Sequence, residues 1–216
     1  MENRMVRKGT VILILAGMIS FLGCEKGTNS SPPSSGTLDH FPMQLGNTWT
    51  YIDTVGGRDT EWSCSIVATS MVGEHEYFVF DTRPSFFSSP VGDEAIVRKT
   101  EHSDVVLSLG DEDILYYKFS DTTLDSMRVV HAVGTKFVTC LESIQDTVVT
   151  PAETFDHCYR FLSYVAQVKD KEIMVWFAPQ VGPVCIRFLA TNGEMLLKSA
   201  VVDGRHYGTE EKVKED

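Results

Sequence analysis

The chain has 216 residues, 43% of them hydrophobic, and carries 19 basic against 30 acidic residues for a formal charge of −11. Residues 1–23 hold three of the basic residues and one acid, so residues 24–216 carry 16 basic and 29 acidic residues and a charge of −13. That balance argues against nucleic acid as a partner and against electrostatic docking on anionic lipid, and the length fits one domain large enough to bury a core.

In chain order, the first feature is a leader. Arg4, Arg7 and Lys8 precede an uncharged, mostly apolar run from Gly9 to Leu22, the basic and apolar regions of an export signal. The strongly apolar part, Val11 to Leu22, is shorter than the ~20 residues a bilayer-spanning helix needs. It ends in Phe21-Leu22-Gly23-Cys24, a small residue followed at once by cysteine, which resembles the lipobox of bacterial lipoproteins. The resemblance implies diacylglyceryl attachment to the Cys24 sulfur, cleavage before Cys24 and acylation of the new amino terminus with a palmitate-type chain. Phe21 stands where the pattern prefers leucine. Two or more acyl chains hold a protein on a membrane durably, and the absence of aspartate at Glu25 resembles lipoproteins forwarded to an outer membrane. Lys26 to Thr37 is rich in serine, proline and glycine and reads as a flexible tether. The expected organisation is therefore signal peptide 1–23, lipidated cysteine and tether 24–37, β domain 38–207 and polar tail 208–216.

From Thr48 onward short β-rich runs alternate with turn signals, and no long stretch has helical period. The predicted strands are Thr48–Val55, Asp59–Val72, Glu76–Thr82, Ala95–Thr100, Val105–Leu109, Ile114–Phe119, Met127–Val133, Lys136–Leu141, Asp146–Thr150, Cys158–Val168, Glu172–Ala178, Val184–Ala190 and Met195–Val202. Gly56-Gly57, Gly73-Glu74 and Asn192-Gly193 mark hairpin turns, because glycine and asparagine supply the positive φ such turns require. Hairpin-length links favour an antiparallel meander over parallel crossovers. The expected fold is all-β and mostly antiparallel, a curved meander sheet or open half-barrel with room for one short helix. Glu172–Phe177 is apolar on both faces and reads as a central strand. In the Pro-rich loop Arg83–Pro90, Phe86 and Phe87 either cover an end of the core or stand exposed as an adhesive pair.

With Cys24 assigned to lipid, four cysteines remain: Cys64, Cys140, Cys158 and Cys185. An even set in an exported chain predicts at least one disulfide, with three possible connectivities, while their apolar surroundings also suit buried free thiols. No Cys-x-x-Cys spacing exists, which argues against thioredoxin-like chemistry and a zinc ribbon.

Three segments are similar, in order and spacing, to a set of bacterial exported lipoproteins of uncharacterised function. Phe41-Pro42-Met43-Gln44-Leu45-Gly46-Asn47-Thr48-Trp49-Thr50-Tyr51 resembles an opening Phe-Pro-Leu…Gly-Asn-x-Trp-x-Tyr pattern. Val149 to Tyr159, with Pro151, Phe155, Cys158 and Tyr159, resembles Val-Pro-Ala-Gly-x-Phe-x-x-Cys-Tyr, and Trp176 to Val184, with Pro179 and Gly182, resembles Phe-Ala-Pro-Gly-Val-Gly-x-Val. Glu153 and Gln180 stand where the pattern has glycine, so a positive φ at either would be strained. The resemblance implies an antiparallel sheet curled into a half-barrel similar to periplasmic lipoprotein carriers. The residues themselves favour structural roles: Gly46-Asn47 as a turn, Trp49 and Tyr51 entering the core from one face, Pro179 and Gly182 turning the chain between central strands.

Chemistry is harder to find. His40, His75, His102, His131, His157 and His206 form no His-x-His or His-Glu-x-x-His arrangement; after His75-Glu76, Val79 stands where the second histidine is needed. No nucleophile elbow or phosphate-cradling glycine loop occurs. Asp111-Glu112-Asp113 lacks the ligand spacing of a calcium loop and reads as a solvated hairpin tip. The expectation is therefore a non-enzymatic protein with no cofactor and no metal. It is either a binding or envelope-accessory module meeting an envelope protein or polymer through rims and loops, Phe86 and Phe87 included, or a half-barrel carrier with a lipid-sized apolar void. Its membrane contact is the lipid anchor, and its expected location is the cell envelope, at the outer membrane where the cell has one.

Overall fold

The computed structural model describes residues 38–53, 60–81, 86–87, 96–109, 112–132, 134–166, 168 and 172–208. The signal, Cys24, the tether, the Gly56-Gly57 turn and the tail beyond Gly208 lie outside them. The described residues are all-β and contain no helix, so the short helix allowed for above is not found there. The strands are β1 (Thr48–Asp53), β2 (Thr60–Val72), β3 (His75–Phe80), β4 (Ile96–Lys99), β5 (Val105–Ser108), β6 (Asp113–Tyr117), β7 (Met127–Ala132), β8 (Thr135–Val149), β9 (Thr154–Val165), β10 (Ile173–Ala178), β11 (Gly182–Phe188), β12 (Gly193–Val202) and β13 (Arg205–Tyr207).

They form one antiparallel sheet in the order β6-β5-β4-β3-β2-β1-β12-β11-β10-β9-β8-β7, with β13 added to β12. Two six-strand meanders are thus joined where β1 pairs β12, Trp49 opposite Ala200. The sheet curls, as the expected meander does, until its two end strands, β6 and β7, approach without pairing, which makes a nearly closed barrel-like shape. Closure is driven from inside. Tyr117 of β6 packs on Phe161 of β9 at 5.1 Å and on Phe177 of β10 at 4.8 Å, and the buried Tyr116 and Ser163 hydroxyls meet at 2.7 Å. Such aromatic pairs are worth about 0.5–1.5 kcal/mol each beyond the area they bury.

The interior is packed with rings. Phe41, Trp49, Phe80, Phe86 and Phe177 are all buried, with Phe41 lying 5.4 Å from Phe86, 5.6 Å from Phe177 and 5.9 Å from Trp49. Phe87 continues the cluster against Tyr116 at 5.5 Å, and the Tyr117 hydroxyl donates to the Phe86 carbonyl. Of the two placements open to Phe86 and Phe87, the structure holds the buried one, so they offer no adhesive surface.

Strand β10 is central, as its two-sided apolar pattern predicts, and basic side chains lie over its Trp176. Trp176 lies under the guanidinium groups of Arg187 and Arg160, at 5.3 and 6.0 Å, and its indole N–H donates to Asp146 Oδ2 at 2.8 Å. Long basic side chains bury their stems in this way while keeping their charge wet. Burial alone would push the Asp146 carboxyl up; hydrogen bonds from Ser143 and Trp176 and the charge of Arg160 outweigh it and hold the group below its ordinary range.

The elements differ from the sequence reading at β8 and β13, and β9 and β11 begin at Thr154 and Gly182, ahead of the expected Cys158 and Val184. The runs Lys136–Leu141 and Asp146–Thr150 are one strand, β8, whose pairing with β9 shifts between Leu141 and Ser143, again before Asp146 and again before Val148. These bulges absorb the polar Glu142–Gln145 stretch without ending the ladder. The short β13 follows Asp203-Gly204, both left-handed at φ 51° and 75°, an Asp-Gly hairpin turn.

The expected disulfide is not formed: Cys64, Cys140, Cys158 and Cys185 are free and buried. Register explains it. The four lie on β2, β8, β9 and β11, facing Trp49, Leu162, Asp146 and Leu196 respectively, so no cysteine is another's cross-strand partner. Only β8 and β9 are neighbours, and there Cys140 pairs Leu162, four positions along from Cys158, far beyond the ~7 Å Cα separation a disulfide spans. Burial raises the pKa of all four thiols, that of Cys158 to about 12.

Candidate functional site

Two of the three sequence motifs form one latch. Trp49 Nε1 donates to the Val181 carbonyl at 2.8 Å and the Tyr51 hydroxyl to the Pro183 carbonyl at 2.9 Å, so the first motif holds the Pro179–Gly182 turn of the third. Gly182, at φ 99°, is required there: a Cβ would stand 3.3 Å from Phe41 Cδ2 and from Trp49 Nε1. Gly46 turns at φ 89°, and the buried Asn47 accepts from the Asp203 amide at 2.9 Å while its Nδ2 donates to the Pro42 carbonyl at 3.2 Å and to Asp203 Oδ1 at 3.3 Å. In the second motif Thr150 Oγ1 accepts from the Ala152 and Glu153 amides, both at 3.2 Å, around Pro151. Phe155 beyond it is buried and 6.5 Å from the Tyr207 ring. Of the two glycine departures, Gln180 does adopt positive φ, 62°, whereas Glu153 is absent from the left-handed residues described.

The segment just before β1 crosses one end of the barrel. Asp39 pairs with Lys99 of β4, its carbonyl accepts from the Gln180 amide at 2.6 Å, and Phe41 enters the core. Beside this strap a surface cleft of about 220 Å³ opens, lined by Leu38, His40, His102, Ser103, Phe119, Ile144, Gln145, His157 and Tyr159. Its walls come from distant parts of the chain: the strap, the β4–β5 turn, the residues after β6, the bulged part of β8 and the start of β9. Sequence spacing cannot reveal that His40, His102 and His157 converge, and of the lining only Tyr159 is a motif residue.

The cleft's floor is a three-ring cluster in which His40 lies 3.9 Å from Tyr159 and 5.7 Å from Phe119, parallel to the latter within 7°. His40 is buried, its Nδ1 pairs with the Leu38 carbonyl at 2.9 Å and its Nε2 has no hydrogen bond. Burial lowers its pKa, opposed by the Leu38 and His157 carbonyls and by the charge of Asp39. The rim differs: His102 and His157 are exposed, and His102 Nε2 lies 3.3 Å from Glu101 Oε1. Two non-glycine rim residues are left-handed, Ser103 at φ 64° and His157 at φ 57°, a backbone state costing about 1–3 kcal/mol that recurs at functional sites. The Ser103 turn is fixed by Thr100, whose Oγ1 accepts from the Asp104 amide at 3.2 Å, and by Asp104, whose carboxylate takes the Ser120 amide and hydroxyl at 2.7 and 2.8 Å.

Two larger hollows are polar surface by comparison. One of about 300 Å³ lies over β1, β2 and β12 and is crossed by the Glu61–Lys198 ion pair; another of about 310 Å³ is framed by Asp39, Asp203 and Arg205. No cluster of histidine, cysteine or carboxylate groups among the described residues is arranged to hold a metal ion, and they include no helix long and apolar enough to cross a membrane.

No family model and no curated protein matches the chain. Among solved structures it is similar to a protein from Bacteroides fragilis described as exported and of YmcC-like fold, with 15% identity over 78% of this chain and 99% of that one and a TM-score of 0.43. It is also similar to a protein from Parabacteroides distasonis described as a lipoprotein, with 16% identity over 77% and 100% of the two chains and a TM-score of 0.40.

Proposed function

We propose that this protein is exported, anchored in the cell envelope through lipidated Cys24, and acts there as a non-catalytic binding module that meets its partner at the surface of the barrel. The observation that carries the second half is the interior: Phe41, Trp49, Phe86, Tyr117 and Phe177 fill the space between the two meanders, where a carrier needs an apolar void of lipid size. The anchor rests on the basic, apolar, small-residue and cysteine order of residues 4–24. The negative charge disfavours nucleic acid and leaves the acyl chains as the membrane contact. Phe86 and Phe87, being buried, take no part in partner contact, which moves the binding surface to the clefts and rims. Metabolic acyl labelling of the full chain and of Cys24→Ser tests the anchor. Label on the native chain and none on the variant is expected; equal label on both would overturn the assignment.

A further inference from the structure

We infer that the cleft beside the strap binds a small carboxylic acid with a flat or short apolar body, its carboxylate received by the imidazole, hydroxyl and amide groups of the rim. This deepens the binding-module reading and rests on it.

The lining favours an acid. In a chain of formal charge −11, this hollow has no aspartate or glutamate among its lining residues. Besides the buried His40 ring and the Tyr159 hydroxyl, its polar groups are the His102 and His157 imidazoles, the Ser103 hydroxyl and the Gln145 amide, every one able to donate a hydrogen bond. The Ser103, Gln145 and His157 side chains make no hydrogen bond among the described residues, so those donors are free for a ligand. Of the carboxylates adjacent in sequence to the lining, Asp39 pairs with Lys99, Asp104 accepts from the Ser120 hydroxyl, Asp146 pairs with Arg160, Asp156 accepts from the Thr147 hydroxyl, and Glu101 is exposed beside His102. An exposed pair of that kind is worth little and is readily exchanged.

The shape limits the body of the ligand. Against the donors stand Phe119, Tyr159, Ile144 and Leu38, so one side of the hollow is apolar and ring-faced. A volume of 220 Å³ holds roughly seven waters at ~30 Å³ each, enough for one ring or a short chain and too small for a lipid. A phosphate ester is the poorer match, because no arginine or lysine lines the hollow and a dianion would lack its usual counter-charge. A metal ion is poorer still: His40 Nε2 is buried away from the opening, and the remaining imidazoles are not grouped as ligands. Backbone strain marks the same place. Ser103 and His157 of the lining are two of the six left-handed non-glycine residues described, and such conformations persist where a site fixes the direction of a side chain.

The test uses the full lipidated chain in nanodiscs with 13C-labelled histidine, titrated with benzoate and, separately, with benzyl alcohol. Saturable shifts confined to the His102 and His157 imidazoles, with benzyl alcohol at least tenfold weaker, are expected. The double variant His102→Gln/His157→Gln should lose the saturation with an unchanged unfolding midpoint, and His206→Gln should retain it. Equal binding of the alcohol, shifts spread equally over His131 and His206, or no saturable shift in folded protein would overturn the inference. The last result would leave the binding-module reading standing, since an envelope protein or polymer could still be captured by crosslinking.

Discussion

Phe41 lies seven residues before β1, yet it is fully buried and touches four aromatic rings, those of Trp49, Phe80, Phe86 and Phe177, at 5.4 to 6.4 Å. Phe41→Ala would therefore remove a core residue, and large-to-small changes of that kind cost about 3–5 kcal/mol. The upper half of the range is expected, because the walls are rings on four different segments that cannot all collapse into the space. With about 2–4 °C lost per kcal/mol for a domain of this size, the melting midpoint should fall by roughly 8–20 °C. In urea the midpoint should fall with the slope unchanged, since the folded ensemble stays compact. Phe41→Leu should lose less than half as much. Because an apolar cavity of this size stays dry and takes benzene, saturating benzene should restore part of the alanine variant's midpoint. A loss below about 1 kcal/mol for Phe41→Ala would refute the placement of the strap in the core.

The turn between β10 and β11 gives two substitutions of opposite sign. Gly182→Ala meets both the positive φ and the Phe41 and Trp49 contacts at 3.3 Å and should cost about 1–3 kcal/mol, whereas Gln180→Gly relieves a left-handed residue and should be neutral or stabilising by up to about 1 kcal/mol; loss of more than that from Gln180→Gly in urea unfolding would contradict the account. Burial depresses the His40 pKa below its ordinary 6.5, so below about that pH the unfolded chain binds more protons than the folded one and stability falls as pH falls. His40→Gln should flatten the slope of stability between pH 7 and 5, and an unchanged slope would remove His40 as its source. Unreduced protein should show almost no thiol reactive in the native state, where burial raises the pKa of all four. Four thiols should become reactive in denaturant, and two or none would restore a disulfide.

The fold was legible because period and punctuation agree: alternating apolar runs end at Gly73 and Asn192, each left-handed in the structure. What pattern alone missed are places where tertiary contact overrides it. The polar interval Glu142–Gln145 looks like a break, yet bulges carry β8 through it, with the Ser143 hydroxyl donating to Asp146 and Asp146 accepting from Trp176 across the sheet. The loop placement of Phe86 and Phe87 could not be read, because only the opposing Tyr116, Tyr117 and Phe177 decide it. An even cysteine count suggested bridging, while register keeps the thiols apart. The histidine cleft was invisible for a similar reason: His40, His102 and His157 are brought together by closure of the barrel, not by any local spacing. Trp49 and Tyr51 were the reverse case, readable from strand period as core formers and buried in the structure.

The domain is, on this account, a filled barrel that binds at its surface. Native mass spectrometry of the soluble part, Ser35 to Asp216, purified from the envelope compartment and compared with its denatured mass, tests that most directly. The account predicts the bare polypeptide mass in both conditions, apart from any adduct of small-acid size. A lipid-sized adduct that survives native transfer and is lost on denaturation would contradict the filled interior and establish the protein as a carrier.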